Sequence, residues 1–182
     1  MLKIIRKFWN KLNLKEDINQ LVKDGLTVGK NFNIQKACIL DNSHCWLIEI
    51  GDNVTLAPRV HILAHDASTK RELGYTKIGK VKIGNNVFIG ANTTILPNVK
   101  IGDNVVIGAN SLVCKNILSN TVVAGNPIRV IDTYDNYMKK NREYMKERPV
   151  YSDEYTLRNK NITKEMKDKM KKDLEDGIGY VE

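Results

Sequence analysis

Ile83-Gly84-Asn85-Asn86-Val87-Phe88, Ile89-Gly90-Ala91-Asn92-Thr93-Thr94, Ile95-Leu96-Pro97-Asn98-Val99-Lys100, Ile101-Gly102-Asp103-Asn104-Val105-Val106 and Ile107-Gly108-Ala109-Asn110-Ser111-Leu112 run without a break. Isoleucine opens each hexad, a small residue usually follows it, and the fifth place is small or β-branched. A period of six suits neither a helix nor an amphipathic strand, so it marks a repeat. Three short strands of this kind make one triangular turn of a parallel β-helix, with the aliphatic residues stacked inside. Strands in successive turns lie about 4.8 Å apart, so each interior isoleucine rests on an aliphatic residue one turn away. Glycine at the second place serves the corner, where φ is positive or a Cβ would collide.

The register extends both ways. Upstream it takes in Val28 to Ile39, Leu40-Asp41 with a small insertion after them, and then Ile50 to His65. Downstream it fades between Thr121 and Ile131. That is roughly five turns of about eighteen residues, more than the minimum of about three that such a stack needs. The period fails between His65 and Ile83, and Asp66 to Lys80 forms a polar loop extruded from a rigid coil. Such loops tend to carry function.

The 182 residues carry a formal charge of +8, distributed as +3 over residues 1–24, +5 over 25–131 and zero over 132–182. A basic repeat body suits a phosphorylated ligand. The tail is no basic arm, and no aromatic-basic motif accompanies the charge, so nucleic acid is not an expected partner. Cys38, Cys45 and Cys114 lack paired metal-ligand spacing. No secretory signal or membrane-spanning run is read, and reduced thiols point to the cytoplasm.

Leu2, Ile5, Phe8, Trp9 and Leu12, continued by Ile18, Leu21 and Val22, give residues 1–24 the pattern of an amphipathic helical cap. A basic amphipathic helix can lie on an anionic membrane, but covering the open end of the coil is the favoured reading. Residues 25–131 form the repeat body with loop 66–80 extruded, and 132–182 a helical tail. In the tail, one helix runs over 133–148 to Pro149, and another runs from an N-cap at Thr163 to Gly177. The narrow stripe Ile162, Met166, Met170 and Leu174 belongs to a helix laid on another surface.

The histidines are His44, His61 and His65. His65 stands where the coil departs into the loop, with Asp66 beside it. Here the chain resembles the left-handed β-helix, hexapeptide-repeat acyltransferases, and within them the sugar O-acetyltransferases. The resemblance rests on Ile50-Gly51-Asp52-Asn53-Val54 with Ala57-Pro58, on His65-Asp66, and on Val81 to Ala91. It rests also on Gly108-Ala109-Asn110-Ser111-Leu112-Val113 and the closing Ala124-Gly125-Asn126-Pro127-Ile128-Arg129-Val130-Ile131. It covers about residues 28–131.

The resemblance implies an all-β, left-handed parallel β-helix, assembled as a homotrimer with active sites between subunits. It implies acetyl-CoA as acyl donor, a saccharide hydroxyl as acceptor and no metal. His65 would be the general base, and Asp41 and Asp66 would contact the acceptor. The cofactor would lie against Phe88, Ala91, Ala109, Cys114, Lys115 and Arg129. Among these, the Ala91 N–H would face the oxyanion, and Lys115 and Arg129 would take the phosphates. Asp132 stands where the family is often basic. Three alternatives stay open: N-acetylation of an amino sugar, a zinc centre of the carbonic-anhydrase kind built on the three histidines, and a non-catalytic scaffold.

Overall fold

The computed structural model describes residues 18–182, and most of the expected N-terminal helix falls outside them. The chain divides into two compact units between Tyr134 and Asp135. The first opens with helix α1 (Ile18–Lys23) and continues as stacked coils. Coil one holds β1 (Thr27–Val28), β2 (Asn33–Ile34) and β3 (Ile39–Leu40); coil two holds β4 (Ile48–Ile50), β5 (Thr55–Leu56) and β6 (His61–Ile62). A hairpin of β7 (His65–Asp66) and β8 (Lys77–Ile78), enclosing the short helix α2 (Lys70–Leu73), leaves the coil before β9 (Val81–Ile83) resumes it. Then follow β10 (Val87–Ile89), β11 (Thr94–Ile95), β12 (Lys100–Ile101), β13 (Val105–Ile107) and β14 (Leu112–Val113). Strand β15 (Thr121–Ala124) and the antiparallel β16 (Arg129–Thr133) end the unit.

Every third strand stacks in parallel, giving the sheets β1-β4-β9-β12, β2-β5-β10-β13-β15 and β3-β6-β11-β14, with β16 closing the second. Ile34, Leu56, Ile89, Ile107 and Val123 lie on one another down one sheet; Leu40, Ile62, Ile95 and Val113 do so down another. The first and fifth places of each hexad both point inward: Val54, Val60, Val87, Thr93, Val99, Val105 and Ser111 are buried. Burial of each Ile or Val contributes about 1.5–3 kcal/mol. Leu21 and Leu26 cover one end of this column and Ile117 and Ile128 the other.

The corners differ from the sequence expectation in one respect. Hexad glycines such as Gly90 are there for close approach: a Cβ would meet the Ala109 nitrogen at 2.5 Å. Positive φ falls instead on the fourth residue, at Asn86 (55°), Asn92 (58°), Asn98 (65°), Asn104 (54°) and Asn110 (56°). Asparagine tolerates the left-handed region because its short amide bonds locally. At one corner these amides also bond between coils, from Asn31 to Asn53, Asn86, Asn104 and Asn120 at 2.9–3.0 Å.

The second unit contains α3 (Tyr134–Glu147), the parallel pair β17 (Val150–Tyr151) and β18 (Tyr180–Val181), and α4 (Lys164–Asp173). The Thr163 side chain caps α4 by accepting from the Met166 N–H. Ile162, Met166, Met170 and Leu174 are its half-buried stripe. Tyr151 donates to Asp173 at 2.9 Å. No helix among the described residues is long and apolar enough to cross a membrane.

Asn86→Ala removes both the ladder bonds and tolerance of positive φ, whereas Asn86→Gly removes only the bonds. A left-handed Ala costs about 1–2 kcal/mol, so the Ala variant should melt about 2–8 °C below the Gly variant. Equal melting temperatures would mean that the ladder alone explains this asparagine.

Candidate active site

Two excursions leave the coil, both between a strand of the β3-β6-β11-β14 sheet and the next strand of the β1-β4-β9-β12 sheet. Thr27 pairs with Glu49, Glu49 with Lys82 and Lys82 with Lys100, so the steps are 22, 33 and then the regular 18 residues. The small excursion spans residues 41–47 and includes a 3-10 turn, Cys45–Leu47. The larger is the hairpin of β7 and β8. They stack at one corner because Leu40 lies on Ile62, which sets Asp41 beside the start of β7.

Asp41 is buried, with a side chain that is 0% exposed. The Ala64 N–H donates to its Oδ2 at 2.9 Å, and the Ser43 and His44 N–H groups donate to Oδ1 at 3.1 Å. Its remaining partner is Nδ1 of His65, bonded to Oδ2. Burial pushes this carboxyl up. The His65 bond, the Ala64 amide, the His65 charge and the Ser43 amide outweigh burial and hold it below the usual carboxylate value. The expected acceptor contact is therefore not what the geometry offers Asp41. Its carboxylate is closed off behind His65 and fixes that ring.

His65 is half-buried, at 35% side-chain exposure. With Nδ1 held by Asp41, Nε2 is the nitrogen left for a ligand. Asp66 turns the other way: it takes Lys77 at 2.6 Å and caps the following turn through the Ser68 N–H at 2.9 Å. Its Lys77 bond, then Ser68, hold its carboxyl well below the usual range. Asp66 thus closes the base of the loop, across from Lys77 in the β7–β8 pairing.

Ligand atoms of Asp41, His44 and His65 all lie within 4.8 Å of one another. A carboxylate accepts about four hydrogen bonds, and Asp41 already accepts four. That leaves two imidazoles, one short of the three protein ligands of a catalytic zinc. His61 is not in the group. It sits on β6 between Ile39 and Thr94. Within one chain this donor set falls short of a catalytic zinc.

The expected cofactor residues fall in three places. Phe88, 46% exposed, stands on the outer face of the middle sheet between Thr55 and Val106. Ala91 and Ala109 stack at the corner that precedes β11 and β14, where the Asn110 N–H meets the Ala91 carbonyl at 2.8 Å. Cys114 and Lys115 are exposed just after β14, at the same corner as His65 and two coils on. Arg129 is exposed at the start of β16, opposite Ala124. One chain therefore sets Asp41 against His65, places Cys114 and Lys115 two coils on at the same corner, and puts Ala91 at the opposite, preceding end of its strand. His44 and Trp46 also belong to the site neighbourhood, with ring centroids 5.4 Å apart and His44 5.4 Å from His65. Their signal in the sequence was the small insertion after Asp41.

The family model for the bacterial transferase hexapeptide (six repeats) matches residues 80–115. Protein CapG of Staphylococcus aureus is 38% identical over 75% of this chain and 83% of its own length. Four further curated relatives are covered over about half their length, among them galactoside O-acetyltransferase of Escherichia coli, 39% identical over 57% of this chain and 52% of its own length. Among solved structures, a maltose O-acetyltransferase from Clostridium difficile superimposes with a TM-score of 0.53 at 33% identity, covering 72% of this chain and 84% of that one. A hexapeptide-repeat acetyltransferase of Vibrio cholerae, complexed with acetyl coenzyme A, does so with a TM-score of 0.55 at 26% identity, covering 60% and 61%. Stacked hexads and extended identity agree: this chain belongs to the hexapeptide-repeat acyltransferase family.

Proposed function

We propose that this chain is an acetyl-CoA-dependent O-acetyltransferase acting on a hydroxyl of a sugar or polysaccharide precursor by direct transfer. The observation that carries the reading is the Asp41–His65 pair at the corner where both excursions emerge. Nε2 of His65 takes the acceptor hydroxyl proton as that oxygen attacks the thioester carbonyl. The tetrahedral oxyanion is met by the Ala91 N–H. Its collapse expels the CoA thiolate, which receives the proton from His65, so atoms and charge balance. Asp41 holds the reactive tautomer and steadies the imidazolium, as a buried carboxylate does for a basic histidine.

The coil is taken as left-handed, the hand implied by the family; ordinary parallel crossovers are right-handed. Assembly is proposed as a homotrimer. Ala91 stands before β11 and His65 after β6, at opposite ends of one sheet, so a second copy is needed to bring base and oxyanion donor together. The acetyl-CoA bound by the Vibrio cholerae structure would then lie between subunits. It would pass Phe88, Ala109 and Cys114, with its phosphates on Lys115 and Arg129. Residues 25–131 make up this catalytic body, between the 1–24 cap and the 132–182 tail. Cys38, Cys45 and Cys114, none of them in a disulfide, suit the reducing cytoplasm.

His65→Ala should lower kcat by about 10²-fold or more with nearly unchanged CoA affinity. Asp41→Asn should lower kcat in the same direction while the melting curve shows a folded protein. Near-normal turnover in folded His65→Ala removes the base.

Charge-assisted phosphate contacts contribute about 1.5–3 kcal/mol each. Calorimetric titration should therefore show Arg129→Ala raising the CoA Kd roughly ten- to a hundredfold, with kcat at saturation little changed. If Arg129→Ala and Lys115→Ala both bind CoA like the parent protein, the phosphate site is elsewhere.

Sedimentation should give about 62 kDa, three times the 20.7 kDa chain. A fully active monomer contradicts the shared site.

A further inference from the structure

The small excursion puts an unusual side chain beside His65. Within the turn Cys45–Leu47, Cys45 is buried and Leu47 packs on the core, while Trp46 faces outward at 56% exposure. An exposed apolar side chain is ordinary in isolation. This one is not isolated. Its indole lies 5.4 Å from the His44 ring, which lies 5.4 Å from the His65 ring, with tilts of 51° and 45°. Three rings thus run outward from the imidazole at the corner to the surface.

The backbone fixes this arrangement. The His44 N–H is tied to Asp41, the same carboxylate that holds His65. The Cys45 Sγ anchors the turn from below, bonding the carbonyls of Leu21 and Asp24 at 3.6 and 3.5 Å. The indole is therefore presented by a pinned turn, at a set place relative to the base. Large, rigid aromatic faces on pinned backbone bind ligands at low entropic cost.

We propose that Trp46 is the platform for the acceptor sugar, against which the C–H face of a pyranose ring lies flat with its hydroxyl rim turned toward His65. A pyranose has an apolar face of C–H groups and a rim of hydroxyls. An indole satisfies the first through dispersion and desolvation and makes no demand on the second. His44 keeps the indole at its angle by ring contact and is a positioning residue. The proposal rests on the reading of His65 as the base and deepens it by assigning the acceptor a ring with an apolar face, in preference to an acyclic alcohol.

The test uses the full chain in a Trp9→Phe background, so that Trp46 is the remaining tryptophan. Methyl glucoside, methyl galactoside and methyl N-acetylglucosaminide are titrated without acetyl-CoA while tryptophan emission is followed, with glycerol as the ringless control. At least one glycoside should shift the emission saturably and glycerol should not. Turnover with that glycoside should then show a KM for acceptor raised tenfold or more by Trp46→Ala. The KM for acetyl-CoA and the sedimenting mass should stay as in the parent, and Trp46→Phe should recover most of the loss. Emission unmoved by every glycoside overturns the platform. So does a Trp46→Ala variant that changes acetyl-CoA KM or mass instead, which would make the indole a donor or subunit contact. A saturable glycoside shift in a protein that transfers no acetyl group would leave the platform standing and overturn the transferase reading.

Discussion

The structure depends on register between coils. Each strand is only two to five residues long and has little stability alone, so its backbone groups and interior side chain are satisfied by the coils on either side. A slip of one residue would turn Ile89 or Ile107 out to solvent and bring Phe88 or Gly90, Val106 or Gly108, into its place. Val87 over Val105, Ile89 over Ile107 and Asn86 bonded to Asn104 all enforce the same step. Extra residues cannot be absorbed within a side of the triangle without breaking that step. They leave at a corner, and two coils that grow at the same corner make one site. The geometry of the candidate site follows from this constraint.

Asp41 shows what the corner makes possible. A carboxylate with no exposed side-chain surface is tolerable only if its charge is met by donors. Here three backbone N–H groups come from two different coils, at Ser43, His44 and Ala64, and His65 supplies the fourth bond. The same residue therefore ties the excursions together and orients the proposed base. Asp66, one residue beyond His65, has the opposite surroundings. Its pair with Lys77 is exposed to water, where such contacts are weak because solvent screens them. It closes the base of the hairpin.

The hexads were legible because position one and position five of each go inside, and that pattern survives in the letters from Ile83 to Leu112. The two places where the period fails, after Asp41 and after His65, also mark the corner at which Asp41 and His65 meet. What the letters could not show was direction. Asp41 and Asp66 read alike as acids near an excursion, and only the stacking of Leu40 on Ile62 turns one inward and leaves the other in solvent. The sequence left open whether Gly90 answers to positive φ or to close approach, and gave Asn86 no role, for a similar reason. Both residue types accept positive φ, and the approach of Ala109 to Gly90 is a distance between coils that no local pattern carries. Trp46 was passed over because one tryptophan in a short insertion has no period.

The same register explains why the proposed chemistry cannot be completed within one chain. Strands β6 and β11 run parallel, with His61 beside Thr94. His65 follows its strand, whereas Ala91 precedes its own, so a whole strand and its turns separate them, at about 3.3 Å per residue. No change of loop length alters this, because the coil fixes which end of each strand faces which corner. A general base and an oxyanion donor must both lie within about 3 Å of the reacting group. A second, symmetry-related copy can supply what the first cannot, by setting its Ala91 corner against the first chain's His65 corner. In the proposed trimer, rigid faces would let two corners from different chains meet with the precision that acyl transfer needs, and the loops at those corners would choose the acceptor.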